Sequence, residues 1–144
     1  MAEHTHPELP PLVAAEFQRY SRHLILPHVG EAGQRRLKQS RVLVVGAGGL
    51  GSPAALYLAA AGVGTIGLVD ADVVERQVLH GTATLGTPKL ESARTRLHDL
   101  NPHVTVDSFP ERLTAANALR IFKGFEVVLA NVERVAFASR AFRI

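Results

Sequence analysis

The chain has 144 residues, of which 47% are hydrophobic and 20% are charged, so its length suits one compact domain with a buried core. Its formal net charge at pH 7 is +3, and no basic run is interleaved with aromatic residues, so nucleic acid is not an expected partner. No apolar stretch approaches the length of a membrane span, so a membrane partner is not expected either.

Cysteine usage and the first residues bear on the location of the protein. The sequence contains no cysteine, which excludes disulfides and a thiolate zinc site, and zinc is therefore not expected in this chain. Residues 1–11 are polar, include three prolines and lack the apolar stretch of a signal peptide. We expect a flexible N-terminus over residues 1–11, a folded domain over residues 12–144 and a cytoplasmic location.

The first part of the domain is predicted to be helical. Residues 12–40 predict short helices joined by a loop that contains Pro27 and Gly30. The apolar residues of the first helix recur at roughly helical spacing and are Leu12, Ala15, Phe17 and Tyr20.

The rest of the chain alternates predicted strands and helices. Short apolar runs predict strands at residues 41–45, 65–69, 104–109 and 127–129. Helices are predicted at residues 53–61, at residues 88–100, after Thr114 and at residues 135–144. This alternation predicts an α/β fold, a Rossmann-like parallel sheet with flanking helices, strand order 3-2-1-4 and an N-terminal helical extension.

A glycine-rich loop follows the first predicted strand. Residues 46–51 read Gly-Ala-Gly-Gly-Leu-Gly, which satisfies G-x-G-x-x-G between a strand and a helix. Gly46 permits the tight turn, Gly48 lets a phosphate approach the backbone, and Gly51 lets the helix pack closely. Asp70 ends the second strand, where an acid usually accepts hydrogen bonds from ribose hydroxyls. The loop predicts nucleotide binding, but alone it does not distinguish ATP from NAD.

Several further segments form an ordered set with the glycine loop. In chain order they read Arg19-Tyr20-Ser21-Arg22-His23, Ala61-Gly62-Val63-Gly64, Arg76-Gln77-Val78-Leu79-His80, Gly86-Thr87-Pro88-Lys89 and Asn101-Pro102-His103. From about residue 19 to residue 129 the chain resembles the ThiF/MoeB/HesA family, the bacterial relatives of ubiquitin-activating enzymes. The resemblance implies an ATP-binding adenylyltransferase acting on the C-terminal glycine of a ubiquitin-like sulfur carrier, for thiamine or molybdenum cofactor synthesis.

The resemblance also implies roles for individual residues. The implied nucleotide contacts are Gly46, Gly48, Gly49, Gly51, Asp70 and Lys89. Arg22 resembles an arginine that reaches the nucleotide of the partner subunit, and Arg76 resembles a phosphate contact within the chain. The implied partners are the sulfur carrier and either a second copy of the chain or a full-length relative. Mg²⁺ is the implied ion, because it prefers phosphate and carboxylate oxygens.

Two segments depart from the family pattern. The family has a longer loop with a Ser-Asn-Leu-Gln core before the Arg-Gln pair, whereas Val73-Val74-Glu75 leads directly into Arg76. After the fourth strand, the family's Asp-x-x-Asp-Asn is replaced by residues 130–134, in which Glu133 is the candidate catalytic and metal-binding carboxylate. The chain ends at Ile144, before the zinc-binding cysteine pairs of the family. We therefore expect a truncated or degenerate member with impaired adenylation.

Two alternatives remain open at this point. A non-catalytic subunit that keeps the fold for dimerisation would explain the shortened loop and the altered residues 130–134. An NAD-dependent oxidoreductase is compatible with residues 46–51 and Asp70, but it leaves Arg76-Gln77 and Pro88-Lys89 unexplained. The histidines, His80 among them, lack metal-ligand spacing and are expected at the surface or hydrogen-bonded in the core.

Overall fold

The computed structural model describes residues 8–130, and these contain a four-stranded parallel sheet in the order β3-β2-β1-β4. The strands are β1 Arg41–Val45, β2 Thr65–Val69, β3 Thr105–Phe109 and β4 Val127–Ala130. The helices are α1 Ala14–Arg19, α2 Ser21–Leu24, α3 Gly30–Gln39, α4 Gly51–Ala61, α5 Lys89–Leu100 and α6 Ala115–Phe122, with a 3₁₀ turn at Thr82–Thr84. The predicted class and strand order are confirmed. The helix predicted at residues 135–144 lies outside the described residues.

Each face of the sheet packs against helices. One core contains side chains of the two central strands with α4 and α5, namely Val42, Val44, Ile66, Leu68, Ala55, Ala59, Leu90, Ala93 and Leu97. The other core joins Leu43 and Val69 to Ile121 of α6. Because both faces are covered, the central strands are apolar along most of their length, as the sequence predicted. A Cβ on Gly67 would lie 2.5 Å from the Phe125 ring, so this glycine makes room for the second core.

The N-terminal helices dock against the C-terminal ends of α4 and α5. The buried Asn101 amide donates hydrogen bonds to the Tyr20 hydroxyl at 2.8 Å and to the Ala59 carbonyl at 2.7 Å. The Gln34 amide donates to the Ala61 carbonyl at 2.8 Å. These contacts place the predicted helical extension at the end of the molecule where strands β2 and β3 begin.

The buried face of α1 differs from the predicted apolar periodicity. Tyr20 and Leu12 are buried, but Ala15 and Phe17 are exposed, and Glu16 lies inside instead. The reason is an ion pair from a distant part of the chain, since Lys38 Nζ lies 2.6 Å from Glu16 Oε2. A buried carboxylate is tolerated where such a partner is present.

Residues 9–11, which belong to the N-terminal segment predicted to be flexible, contact α3. Arg35 donates hydrogen bonds to the carbonyls of Leu9 and Pro10, and Lys38 Nζ donates to the Pro11 carbonyl at 2.8 Å.

Among residues 8–130, no helix has the length and apolar character needed to cross a membrane.

Replacing Asn101 with alanine is expected to lower the free energy of unfolding by about 1–3 kcal/mol, because the buried Tyr20 hydroxyl would lose its partner. Urea unfolding measures the loss. A double-mutant cycle with Tyr20→Phe provides the control, since the paired change should cost less than the two single changes added together. Strict additivity would contradict this account of the docking.

Candidate functional site

The glycine loop joins the end of β1 to the start of α4. Gly46 has a φ of +90°, which side chains rarely allow, and its N–H donates to the Val69 carbonyl at 2.7 Å. A Cβ on Gly51 would lie 1.7 Å from the Gly46 carbonyl oxygen, so the helix packs directly on the loop. Cβ atoms on Gly48 and Gly49 would have no neighbour within 4 Å, so this side of the loop is open.

The open side of the loop carries backbone N–H donors that have no partner in the described part of the chain. Within residues 8–130, the N–H groups of Gly48, Gly49 and Leu50 donate to no other protein group. Leu50 is the residue immediately before α4, where backbone N–H groups have no carbonyl in the preceding turn. Unpaired N–H groups and the positive end of the helix dipole together favour a bound anion.

Asp70 connects this loop to Lys89. Its side chain is 7% exposed, its Oδ2 accepts a hydrogen bond from the Ala47 N–H at 2.8 Å, and its Oδ1 accepts one from the Asp72 N–H at 2.8 Å. The Lys89 side chain is 9% exposed, with Nζ 3.9 Å from Asp70 Oδ2 and 3.5 Å from Asp72 Oδ2. Lys89 is the first residue of α5, where the helix dipole disfavours a cation, and the two carboxylates offset that effect.

The segment between β2 and α5 is held in place by backbone hydrogen bonds. The N–H of Val74 donates to the Thr87 carbonyl at 2.8 Å, and the N–H of Lys89 donates to the Asp72 carbonyl at 3.0 Å. These bonds place the lysine beside the glycine loop. Arg76 lies on an exposed turn of the same segment and makes no ion pair with any described residue.

Arg22 is not brought to the glycine loop within this chain. It is exposed on α2, between Tyr20 and His23. Tyr20 is hydrogen-bonded to Asn101, and His23 is hydrogen-bonded to Gln34. Both partners lie at the far end of α4. Because α4 has 11 residues, that end is roughly 16 Å along the helix axis from the loop. The structure thus brings together the glycines, Asp70 and Lys89, while Glu133 lies outside the described residues.

Sequence reasoning missed the part that His80 plays at this site. Its Nε2 lies 3.2 Å from the Ala47 carbonyl oxygen in the glycine loop, and its Nδ1 lies 2.9 Å from Ser92 Oγ on α5. The sequence analysis placed the histidines either at the surface or hydrogen-bonded in the core; His80 is half-buried and hydrogen-bonded, and its contact with the loop was not foreseen. The only signal in the sequence was its place in the Arg76-Gln77-Val78-Leu79-His80 segment.

The pKa of His80 is lowered, chiefly by burial and further by the positive charge of Lys89. The hydrogen bond to Ala47 and the negative charge of Asp70 act in the opposite direction. Because the unfolded pKa of histidine is about 6.5, the unfolded state binds more protons below that pH, and stability falls on acidification. We expect the urea midpoint to fall as the pH drops below about 6.5 and through the folded pKa, with a smaller fall in His80→Gln. Equal pH dependence of the two proteins would contradict this prediction.

Comparison with known proteins extends these observations. A model of the ThiF family matches residues 20–140. The probable adenylyltransferase/sulfurtransferase MoeZ of Mycobacterium tuberculosis (strain ATCC 25618 / H37Rv) is 50% identical over 140 residues, which covers 89% of this chain and 36% of that protein. The adenylyltransferase and sulfurtransferase UBA4 of Saccharomyces cerevisiae (strain YJM789) is 54% identical over 125 residues, which covers 83% of this chain and 28% of that protein. The chain thus spans about a third of the length of these relatives.

Solved structures share the fold. The crystal structure of the E. coli tRNA N6-threonylcarbamoyladenosine dehydratase TcdA in complex with ATP superposes with a TM-score of 0.78 at 29% identity, covering 85% of this chain and 52% of that one. Three observations agree with one another: the strand order, the glycine loop between β1 and α4, and the family match over residues 20–140. The chain belongs to the ThiF family.

Proposed function

We propose that the glycine loop and Lys89 bind the phosphates of ATP, and that this nucleotide site serves the adenylation of a ubiquitin-like sulfur carrier. The observation that carries the proposal is the row of N–H groups at Gly48, Gly49 and Leu50, which pair with no described residue and lie beside a nearly buried lysine. The adenylyltransferase names of the MoeZ and UBA4 relatives and the ATP bound to TcdA support it.

The chemistry needs charge neutralisation more than proton transfer. The C-terminal carboxylate of the carrier is ionised at neutral pH and attacks the α-phosphorus directly. A carboxylate oxygen–phosphorus bond forms, the bond from the α-phosphorus to its bridging oxygen breaks, and pyrophosphate leaves with the electron pair. Because like charges converge, the site must supply oriented N–H groups and cations. We assign these roles to the glycine loop, Lys89 and Arg76, and we assign the ribose contact to Asp70.

The described carboxylates do not fit a complete Mg²⁺ site. Residues 8–130 contain no group of three or more acidic or histidine side chains able to hold a metal ion. Both Asp70 oxygens accept backbone hydrogen bonds, and Asp72 is paired with Lys89 and with Arg112. Glu133 stays the proposed magnesium ligand and the proposed catalytic carboxylate.

A partner subunit is part of the proposal. Arg22 lies roughly one length of α4 away from the glycine loop of its own chain, which is compatible with a contact to the nucleotide of another subunit. We propose a homodimer, or a heterodimer with a full-length relative, in the cytoplasm. Light scattering of the purified chain tests the assembly, and a strict monomer that recruits no relative would count against it.

Calorimetric titration with ATP and with NAD tests the proposed function. We expect saturable binding of ATP and weaker or no binding of NAD. Tighter binding of NAD would favour an oxidoreductase instead. ATP–pyrophosphate exchange with a carrier that ends in Gly-Gly then separates an adenylating enzyme from a subunit that only binds nucleotide, and we expect little exchange from this chain alone.

A further inference from the structure

The peptide group between Ala47 and Gly48 is restrained on its carbonyl side by two side chains. The Ala47 carbonyl accepts a hydrogen bond from the buried Ser52 hydroxyl at 3.0 Å and lies 3.2 Å from His80 Nε2. The Ala47 N–H is held separately by Asp70 Oδ2 at 2.8 Å. Ala47 is itself fully buried, so these partners replace water for its backbone groups.

This restraint determines where the next N–H group points. In a trans peptide the carbonyl and the following N–H lie in one plane and point in opposite directions. With the Ala47 carbonyl directed at His80 and Ser52, the Gly48 N–H is directed away from them, towards the open side of the loop. Any tilt of the carbonyl would tilt the N–H by the same angle.

The partner of His80 Nε2 also determines that this nitrogen carries hydrogen. A carbonyl oxygen only accepts hydrogen bonds, so Nε2 carries the hydrogen that it donates to Ala47. Nδ1 lies 2.9 Å from Ser92 Oγ, and the Ser92 hydroxyl donates its own hydrogen to Thr84 Oγ1 at 2.9 Å. Ser92 on α5 therefore orients the ring, and the ring orients the loop.

We propose that His80 is a positioning residue that aims the Gly48 N–H at a phosphate of the bound nucleotide. The inference rests on the proposed ATP binding by the glycine loop. Three elements supply the side chains that restrain this peptide group: the segment after β2 supplies His80, α5 supplies Ser92, and α4 supplies Ser52.

Two substitutions of nearly equal size separate positioning from packing. His80→Gln keeps an N–H near the place of Nε2, whereas the shorter amide of His80→Asn reaches towards Ser92 but not the loop. We expect His80→Asn to weaken the calorimetric Kd for ATP about three- to tenfold, the effect of one net hydrogen bond. His80→Gln should bind ATP as the unchanged chain does. His98→Asn, the same change at an exposed position of α5, is the matched control and should have no effect.

A nucleotide-free measurement keeps this test separate from that of the proposed function. The ¹⁵N shifts of the His80 ring should report hydrogen on Nε2, and the amide resonance of Gly48 should shift in His80→Asn but not in His80→Gln. An unshifted Gly48 amide in the asparagine variant, or equal loss of ATP affinity in both variants, would overturn the positioning role. Failure of the unchanged chain to bind ATP would overturn the proposed function instead, while thermal unfolding confirms that each variant is folded.

Discussion

Replacing Lys89 with alanine is expected to weaken ATP binding about ten- to hundredfold, because a hydrogen-bonded charge contributes about 1.5–3 kcal/mol. The ammonium is nearly buried, lies close to Asp70, and is joined through that carboxylate to the N–H of Ala47 in the glycine loop. In the proposed site, a cation in this position would offset the charge of the phosphates at short range, where water screens it little. Calorimetry with ATP measures the change in Kd.

Arg94 provides the matched control for the Lys89 substitution. It lies on the same helix, is exposed, and makes no ion pair with any residue in the range 8–130. Arg94→Ala removes one positive charge without touching the loop, so ATP affinity should stay nearly constant. Equal affinities of the two variants would mean that Lys89 acts only through the overall charge of the chain.

Replacing Gly51 with alanine is expected to lower the free energy of unfolding by about 1–3 kcal/mol or more, because the new Cβ overlaps backbone that cannot move freely. That atom would lie 1.7 Å from the Gly46 carbonyl oxygen and 3.2 Å from a Val44 methyl carbon. The start of α4 must therefore move away from the strand, and the row of free N–H groups moves with it. Urea unfolding and ATP calorimetry on one sample measure both consequences.

Gly48→Ala gives the contrasting result. A Cβ at Gly48 would meet no atom within 4 Å, so stability should change little. ATP affinity should fall, because the methyl group would occupy the space proposed for the phosphate. If the Gly51→Ala variant were as stable as the Gly48→Ala variant, that result would contradict the close packing of α4 on the loop.

The fold was predictable because its signals are local in the sequence. Short apolar runs separated by helical segments specify parallel strands, and the Rossmann-like arrangement then gives the order β3-β2-β1-β4. The same holds for the glycine loop, whose turn requires Gly46 and whose close packing requires Gly51. The position of Asp70 at the end of β2 was predicted from the sequence, but its bond to the loop N–H was not.

The remaining features depend on contacts between distant residues. Glu16 is buried only because Lys38, 22 positions away, reaches it, and the periodicity of α1 cannot show this. His80 meets a carbonyl 33 positions earlier, so no spacing rule assigns it to the loop. Arg22 lies away from the loop of its own chain, and its proposed role needs a second subunit, which a single sequence does not describe.

Backbone amide resonances, followed during titration with ATP, test most directly whether the glycine loop holds the triphosphate. The predicted result is saturable shifts that are largest at Gly48, Gly49 and Leu50, whose N–H groups bond to nothing within residues 8–130. An ATP titration that leaves these three resonances unmoved, or moves a different surface of the sheet, would contradict the account.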